Sequence, residues 1–131
     1  MKIHAVALAG LLLPVNFLQA ADPVDYLRDV KPILTARCVA CHGPFKQRSG
    51  LRLDTAALIR KGGKRGLVIV PGKAADSRLL ERVTATDETE RMPPEEPPLT
   101  AAQVAVLRAW IDQGERHRPT RLPKTRAITG R

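Results

Sequence analysis

Aromatic side chains are almost missing from this sequence: its 131 residues include one Trp, one Tyr and two Phe. A chain of this length makes one small domain with a modest core. With so few rings, the side chains alone supply little of the flat apolar bulk that fills a core. Histidine is as scarce. His4 lies in the N-terminal run and His117 near the C-terminus, which leaves His42 between them. His42 belongs to the motif described below, so no Ser/His/Asp set can be assembled and no enzyme is expected. The N-terminal apolar run, Ala5 to Leu13, is too short to span a bilayer comfortably. Arg60 to Gly66 is glycine-rich and basic, but it lacks the spacing and the GK[ST] ending of a phosphate loop and reads as a flexible basic loop. The net charge of +9 comes from 22 basic and 13 acidic residues. A basic chain suggests nucleic acid. No recognition module is present, however, and the excess sits mainly in one loop and the tail, so no nucleic-acid partner is expected.

Cysteine is limited to two residues, and both fall in one stretch, Cys38-Val39-Ala40-Cys41-His42. Two thiols three positions apart, followed at once by an imidazole, form the attachment signature of a c-type haem. Each thiol adds across one vinyl group of the porphyrin, and the histidine falls under the iron as proximal ligand. One covalent haem on Cys38 and Cys41, with His42 on the iron, is therefore expected. Its flat body would supply the bulk that the side chains lack. Other readings of the motif are weaker. A CxxC disulfide closes too small a loop to stabilise much. A thioredoxin-like dithiol wants a βαβ setting and a helix that starts at the first cysteine, whereas here the helical pattern precedes it. A zinc site needs two more ligands, and the sequence has no second CxxC and no HxxxH pair.

Residues 1–21 read as a secretory signal: Lys2, the apolar run, Pro14, and a small-residue end at Ala20-Ala21. Leu18 and Gln19 fit the cleavage pattern poorly, which leaves an uncleaved anchor as the alternative. Export is also what haem attachment implies, because c-type haem is joined to its protein outside the cytoplasm. A periplasmic or otherwise extracytoplasmic location is expected, with no transmembrane segment after leader removal. Residues 22–114 form the folded domain. Residues 115–131, basic and without apolar pattern, read as a disordered tail.

Within the domain the periodicity is helical. Asp22 and Pro23 look like the cap and first position of a helix whose apolar face is Tyr26, Leu27, Val30, Ile33 and Leu34, with a kink or restart at Pro32. Gly43 to Gly50 is a polar loop. Asp54 or Thr55 caps a brief helix through Ile59. Leu67 to Val70 is extended and closes at the turn Pro71-Gly72. Asp76 caps a helix from Ser77 to Val83. Thr100 and Gln103 make a capping box for the clearest helix, which buries Leu107, Trp110 and Ile111 and ends at Gly114.

Methionine is rare too. Met92 is the only one after the leader, and it stands outside any amphipathic pattern. Its setting, Thr86 to Pro98, is acidic and carries Pro93, Pro94, Pro97 and Pro98. Core-filling methionines usually sit on the apolar face of a helix or strand. A lone methionine in a proline-braced loop suits the second axial position of the iron, where its thioether favours the ferrous state. His117 lies in the tail and is not expected to ligate.

Several segments together resemble the planctomycete-type cytochrome c domain. They are VKPILTARCVACHG, SGLRLDT, GLVIVPGK, SRLLERV, RMPPEEPPLT and LRAWIDQG, spread over about residues 24–114. The resemblance implies a small all-α, class I-like fold wrapped around one haem, in which the first and last helices cross near Leu107 and Trp110. It implies thioethers at Cys38 and Cys41 and axial ligation by His42 and Met92. The function expected is one-electron transfer by a monohaem carrier that meets its redox partners through a small, transient interface. Two alternatives remain: an electron-accepting module of a larger extracytoplasmic enzyme, and a ligand-binding or peroxidatic haem protein with a displaceable Met92.

Overall fold

The first helical segment starts at Asp25 rather than Asp22. The computed structural model describes residues 22–115. The expected leader (1–21) and the tail from 116 onward, including His117, lie outside the described residues. The Asp25 carboxylate accepts from the Arg28 N–H at 2.9 Å, and the Asp25 N–H donates to the Asp29 carboxylate at 2.8 Å. This reciprocal pair satisfies two donors at the helix start. Asp22 and Pro23 stay outside because Val24 is held elsewhere. The Val24 N–H donates to Gln113 Oε1 at 3.1 Å, and the Gln113 amide donates back to the Val24 carbonyl.

Tyr26–Val30 is a π-helical turn that passes into α1, Lys31–Arg37. Pro32 explains the change of winding. It has no N–H to donate, and its ring crowds the carbonyl four residues back. A wider turn before it relieves both problems. The same turn rotates the face, so that Tyr26, Val30 and Leu34 are buried while Leu27 remains 49 % exposed.

Three more helices follow: α2, Ala56–Lys61; α3, Arg78–Thr84; and α4, Ala101–Asp112. Thr55 caps α2 through its hydroxyl. At α3 the cap position is Ser77, not Asp76, because Ala74–Asp76 is a 3-10 turn. Ser77 is fully buried, and its hydroxyl accepts from the Val70 N–H at 2.8 Å and donates to the Lys73 carbonyl at 2.9 Å. The hydroxyl therefore ties the turn before α3 instead of capping the helix. The capping box of α4 is complete on both sides, with Thr100 N–H to Gln103 Oε1 at 2.9 Å and Gln103 N–H to Thr100 Oγ1 at 3.2 Å. Gly114, at φ +80°, ends the helix, with its own N–H on the Ile111 carbonyl and that of Glu115 on the Trp110 carbonyl. Both bonds satisfy carbonyls that the helix end leaves free.

The core joins the two ends of the domain. Val30, Leu34, Ile59, Ile69, Leu107, Trp110 and Ile111 are fully buried or nearly so. Tyr26 and Trp110 stack at 5.4 Å between ring centroids, which packs α4 on the first helical segment. The Gly72 N–H on the Ile111 carbonyl and the Ala74 N–H on the Asp112 carboxylate fasten the end of α4 to the 71–76 turn. Among the described residues there is no β-strand, only the isolated bridges 42–47 and 63–66, and the fold is all-α. Among the same residues no helix is long and apolar enough to cross a membrane.

Candidate functional site

Cys38 is the C-terminal cap of α1, its N–H on the Leu34 carbonyl at 2.8 Å. The chain then turns tightly. The N–H groups of Cys41 and His42 both donate to the Cys38 carbonyl, at 3.1 and 2.9 Å. The turn brings the side chains of Cys38, Cys41 and His42 to the wall of one cleft. The two sulfurs are not joined to each other.

The turn leaves no room beyond His42 for any residue but glycine. A Cβ on Gly43 would lie 2.3 Å from the Val39 carbonyl oxygen and 2.8 Å from Val39 Cγ1. A miniature hairpin follows, held by the Arg48 N–H on the Cys41 carbonyl at 3.0 Å and the Gly43 N–H on the Lys46 carbonyl at 2.8 Å. It returns the chain so that His42 Nδ1 lies 3.1 Å from the Arg48 carbonyl. A carbonyl oxygen only accepts, so Nδ1 carries the proton and the lone pair of Nε2 is left for a metal. Backbone carbonyls orient metal-binding imidazoles in this way.

Met92 reaches the same cleft from the Thr86–Pro98 loop. Its N–H donates to the Arg82 carbonyl at 2.9 Å, which fastens the loop to α3. The Arg82 guanidinium adds a bond to the Glu90 carbonyl at 3.2 Å and an ion pair with the Glu90 carboxylate. From the other side, Arg37 donates to the Pro97 carbonyl and lies 3.5 Å from the Glu96 carboxylate. The loop is thus clamped at both ends by arginines on the helices that border the cleft. Neither clamp was read from the sequence. Each clamp joins one backbone carbonyl, which leaves no mark in a residue pattern, and one carboxylate that is brought close only by the fold.

The cleft measures about 350 Å³. Its walls are largely apolar, with Leu51, Leu53, Val68, Leu79 and Val83. Burial pushes the Cys38 thiol up to about 11, partly offset by the charge of Arg37. Its sulfur is therefore an uncharged thiol at neutral pH. Arg48, Arg65 and Arg78 also line the cleft, and the guanidinium groups have no partner among the described residues. Arg65 is brought there by the 60–66 loop, which is packed rather than loose: Lys64 donates its N–H to the Ser49 carbonyl at 2.9 Å.

Together these residues fit a c-type haem. Two thiols share one cleft, one imidazole has a free Nε2, a thioether comes from a braced loop, and cations are available for propionates. Among the described residues no group of three His, Cys, Asp or Glu side chains comes together as a metal cage. The motif follows a helix instead of opening one.

Comparison with known proteins agrees with this chemistry. No curated protein and no solved structure matches the chain. Residues 38–96, from the first cysteine through the Met92 loop, match the family described as Planctomycete cytochrome C. The match supports a planctomycete-type cytochrome c domain in this chain, and that family suggests a haem-binding electron-transfer protein.

Proposed function

We propose that this protein is an extracytoplasmic monohaem cytochrome that carries single electrons between partner proteins. Cys38 and Cys41 would hold the haem as thioethers, and His42 and Met92 would be the ligands of its iron. The observation that carries the reading is the convergence of Cys38, Cys41, His42 and Met92 on one apolar cleft. The bound haem supplies an iron that cycles between ferric and ferrous states.

The residues of this chain do the rest. The Arg48 carbonyl holds the His42 proton on Nδ1, so the imidazole presents Nε2 in one fixed orientation. Arg37 and Arg82 fix the loop that offers the Met92 sulfur. With His42 and Met92 both supplied by the protein, the iron would keep no open site for a substrate, which suits outer-sphere transfer. Thioether ligation stabilises the ferrous state and raises the reduction potential. The apolar walls exclude water and work in the same direction. Export rests on the leader features of residues 1–21.

An optical and redox titration of the exported protein tests the reading. We expect one covalent haem per chain, a ferric thioether-to-iron band near the red edge of the visible spectrum, and a single one-electron wave. Haem that extracts into acidified organic solvent would refute the covalent attachment. Carbon monoxide binding by the reduced protein at neutral pH would refute the filled sixth position.

A further inference from the structure

Phe45 is fully exposed, although the chain has only four aromatic residues. It is also firmly held. It sits at the tip of the miniature hairpin, whose bridge pairs His42 with Gln47. An aromatic ring is thus carried out into solvent on a support that springs from His42 itself.

The surroundings of Phe45 are basic. Lys46 and Arg48 lie on the hairpin. The 62–66 loop is laid against the end of the hairpin by the bond from Lys64 to the Ser49 carbonyl, and the Lys64 stem packs over Gly50, where an added Cβ would meet Lys64 Cγ at 3.0 Å. Lys46, Arg48, Lys64 and Arg65 have no side-chain ion pair or hydrogen bond among the described residues.

The acidic loop around Met92 is the competing face, and three of its five carboxylates are paired internally, which leaves Asp87, held by Thr89, and Glu95 without a cation partner among the described residues. Glu88 pairs with Arg91, Glu90 with Arg82, and Glu96 with Arg37. Field that reaches a partner comes from uncompensated charge, so the basic face dominates over the acidic one.

We propose that the redox partner docks on the face centred on Phe45, and that it is an acidic electron-transfer protein with an apolar contact surface ringed by carboxylates. The inference rests on the reading of the cleft as a haem site. An aromatic anchor inside a charged rim is the usual composition of a specific contact. Arg48 and Arg65 belong both to this face and to the lining of the cleft, so a partner seated on Phe45 lies against the cleft mouth. From this seat one electron would pass from the reduced haem to the partner's oxidised centre, with no proton or group transferred.

The test uses the full-length, haem-loaded protein on gold electrodes coated with mixed carboxylate- and methyl-terminated monolayers, read by voltammetry. The optical spectrum is taken first. Wild type is expected to adsorb and exchange electrons at low salt, and to desorb as salt rises. Phe45→Ser should lower the adsorption constant about tenfold through the lost apolar contact. Lys46→Glu with Lys64→Glu should lower it at least about tenfold through charge reversal. Glu95→Lys on the Met92 loop should leave it unchanged. None of these residues lines the cleft, so each variant should keep the wild-type spectrum. Adsorption of haem-loaded protein that is insensitive to the Phe45 and Lys46/Lys64 changes would overturn the docking face alone. So would Phe45-dependent binding to phosphatidylglycerol vesicles, which would assign the face to a membrane. Absence of covalent haem in the first spectrum would overturn both readings.

Discussion

Arg37 donates a hydrogen bond to the Pro97 carbonyl, so the residue immediately before the first cysteine holds the loop that carries Met92. The two halves of the site are mechanically connected by one side chain. Arg37 is 19 % exposed, and the ion pair it adds with Glu96 joins a side chain that is 55 % exposed. The hydrogen bond is therefore the larger contribution, since exposed ion pairs add little. Arg37→Ala should cost about 1–2 kcal/mol of stability in denaturant unfolding. It should also make the thioether-to-iron band disappear on heating before the helical signal does. Arg37→Lys should recover only part of the loss, because an ammonium lacks the planar fork. Simultaneous loss of band and helix in Arg37→Ala would mean that the clamp is not local.

Met92→Ala separates the ligand from its loop. The backbone bond from residue 92 to the Arg82 carbonyl needs no side chain and should survive. We expect the haem to remain attached through Cys38 and Cys41, the red-edge band to vanish, and the reduction potential to fall. Carbon monoxide should then bind the reduced variant. An unchanged spectrum would remove Met92 from the iron.

Which parts of this structure are legible in the sequence depends on how local their causes are. The capping box at Thr100 and Gln103 and the helix end at Gly114 depend on residues three or four apart, and both form as the sequence suggests. The placing of Cys38, Cys41 and His42 in one cleft follows from a turn within five residues. The first helix start is less legible, because Gln113 claims Val24 from the far end of the domain and leaves Asp25 to cap. Leu27 is exposed because a π turn before Pro32 shifts the register of the face. Asp76 yields to Ser77 because a buried hydroxyl is needed between Val70 and Lys73. Glu115 begins the basic tail on composition, yet its side chain is 2 % exposed and pairs with Arg60.

Two carboxylates give the stability opposite pH dependences. The hydrogen bond from Arg28 and that from the Asp25 N–H hold the Asp29 carboxyl at about 2, below its ordinary 3.8. A depressed folded value means that the stabilisation is present above 3.8 and is lost as pH falls through about 2. Glu115 behaves in reverse. Burial raises its carboxyl above the ordinary 4.5, against the opposing pull of Arg60. The folded state then holds the proton more tightly, so this contribution is complete below 4.5 and is lost as pH rises through the raised value. Denaturant midpoints between about pH 7 and about pH 2 should therefore flatten at the acid end in Asp29→Asn and above about pH 4.5 in Glu115→Gln. Parallel curves for either variant and wild type would exclude that carboxylate as the source.

Gly43 and Gly72 make a matched pair of tests for what the turn around the cysteines requires. Gly72 has φ +78° with nothing within 4 Å of an added Cβ, so Gly72→Ala faces only a torsional cost, about 1 kcal/mol. At Gly43 the obstacle is steric and is made of backbone. The Val39 carbonyl cannot yield without turning the peptide between Cys38 and Cys41, and that peptide sets where the two sulfurs and His42 point. Gly43→Ala should therefore lower the yield of covalent haem in exported protein severalfold. In the fraction that does load, it should loosen the bond from His42 to the Arg48 carbonyl, which depends on the same turn. Gly72→Ala should lower the thermal midpoint while haem content stays at the wild-type level. Equal haem loading in Gly43→Ala and Gly72→Ala would show that the turn can relax without moving the cysteines. The steric argument for a glycine after His42 would then fail.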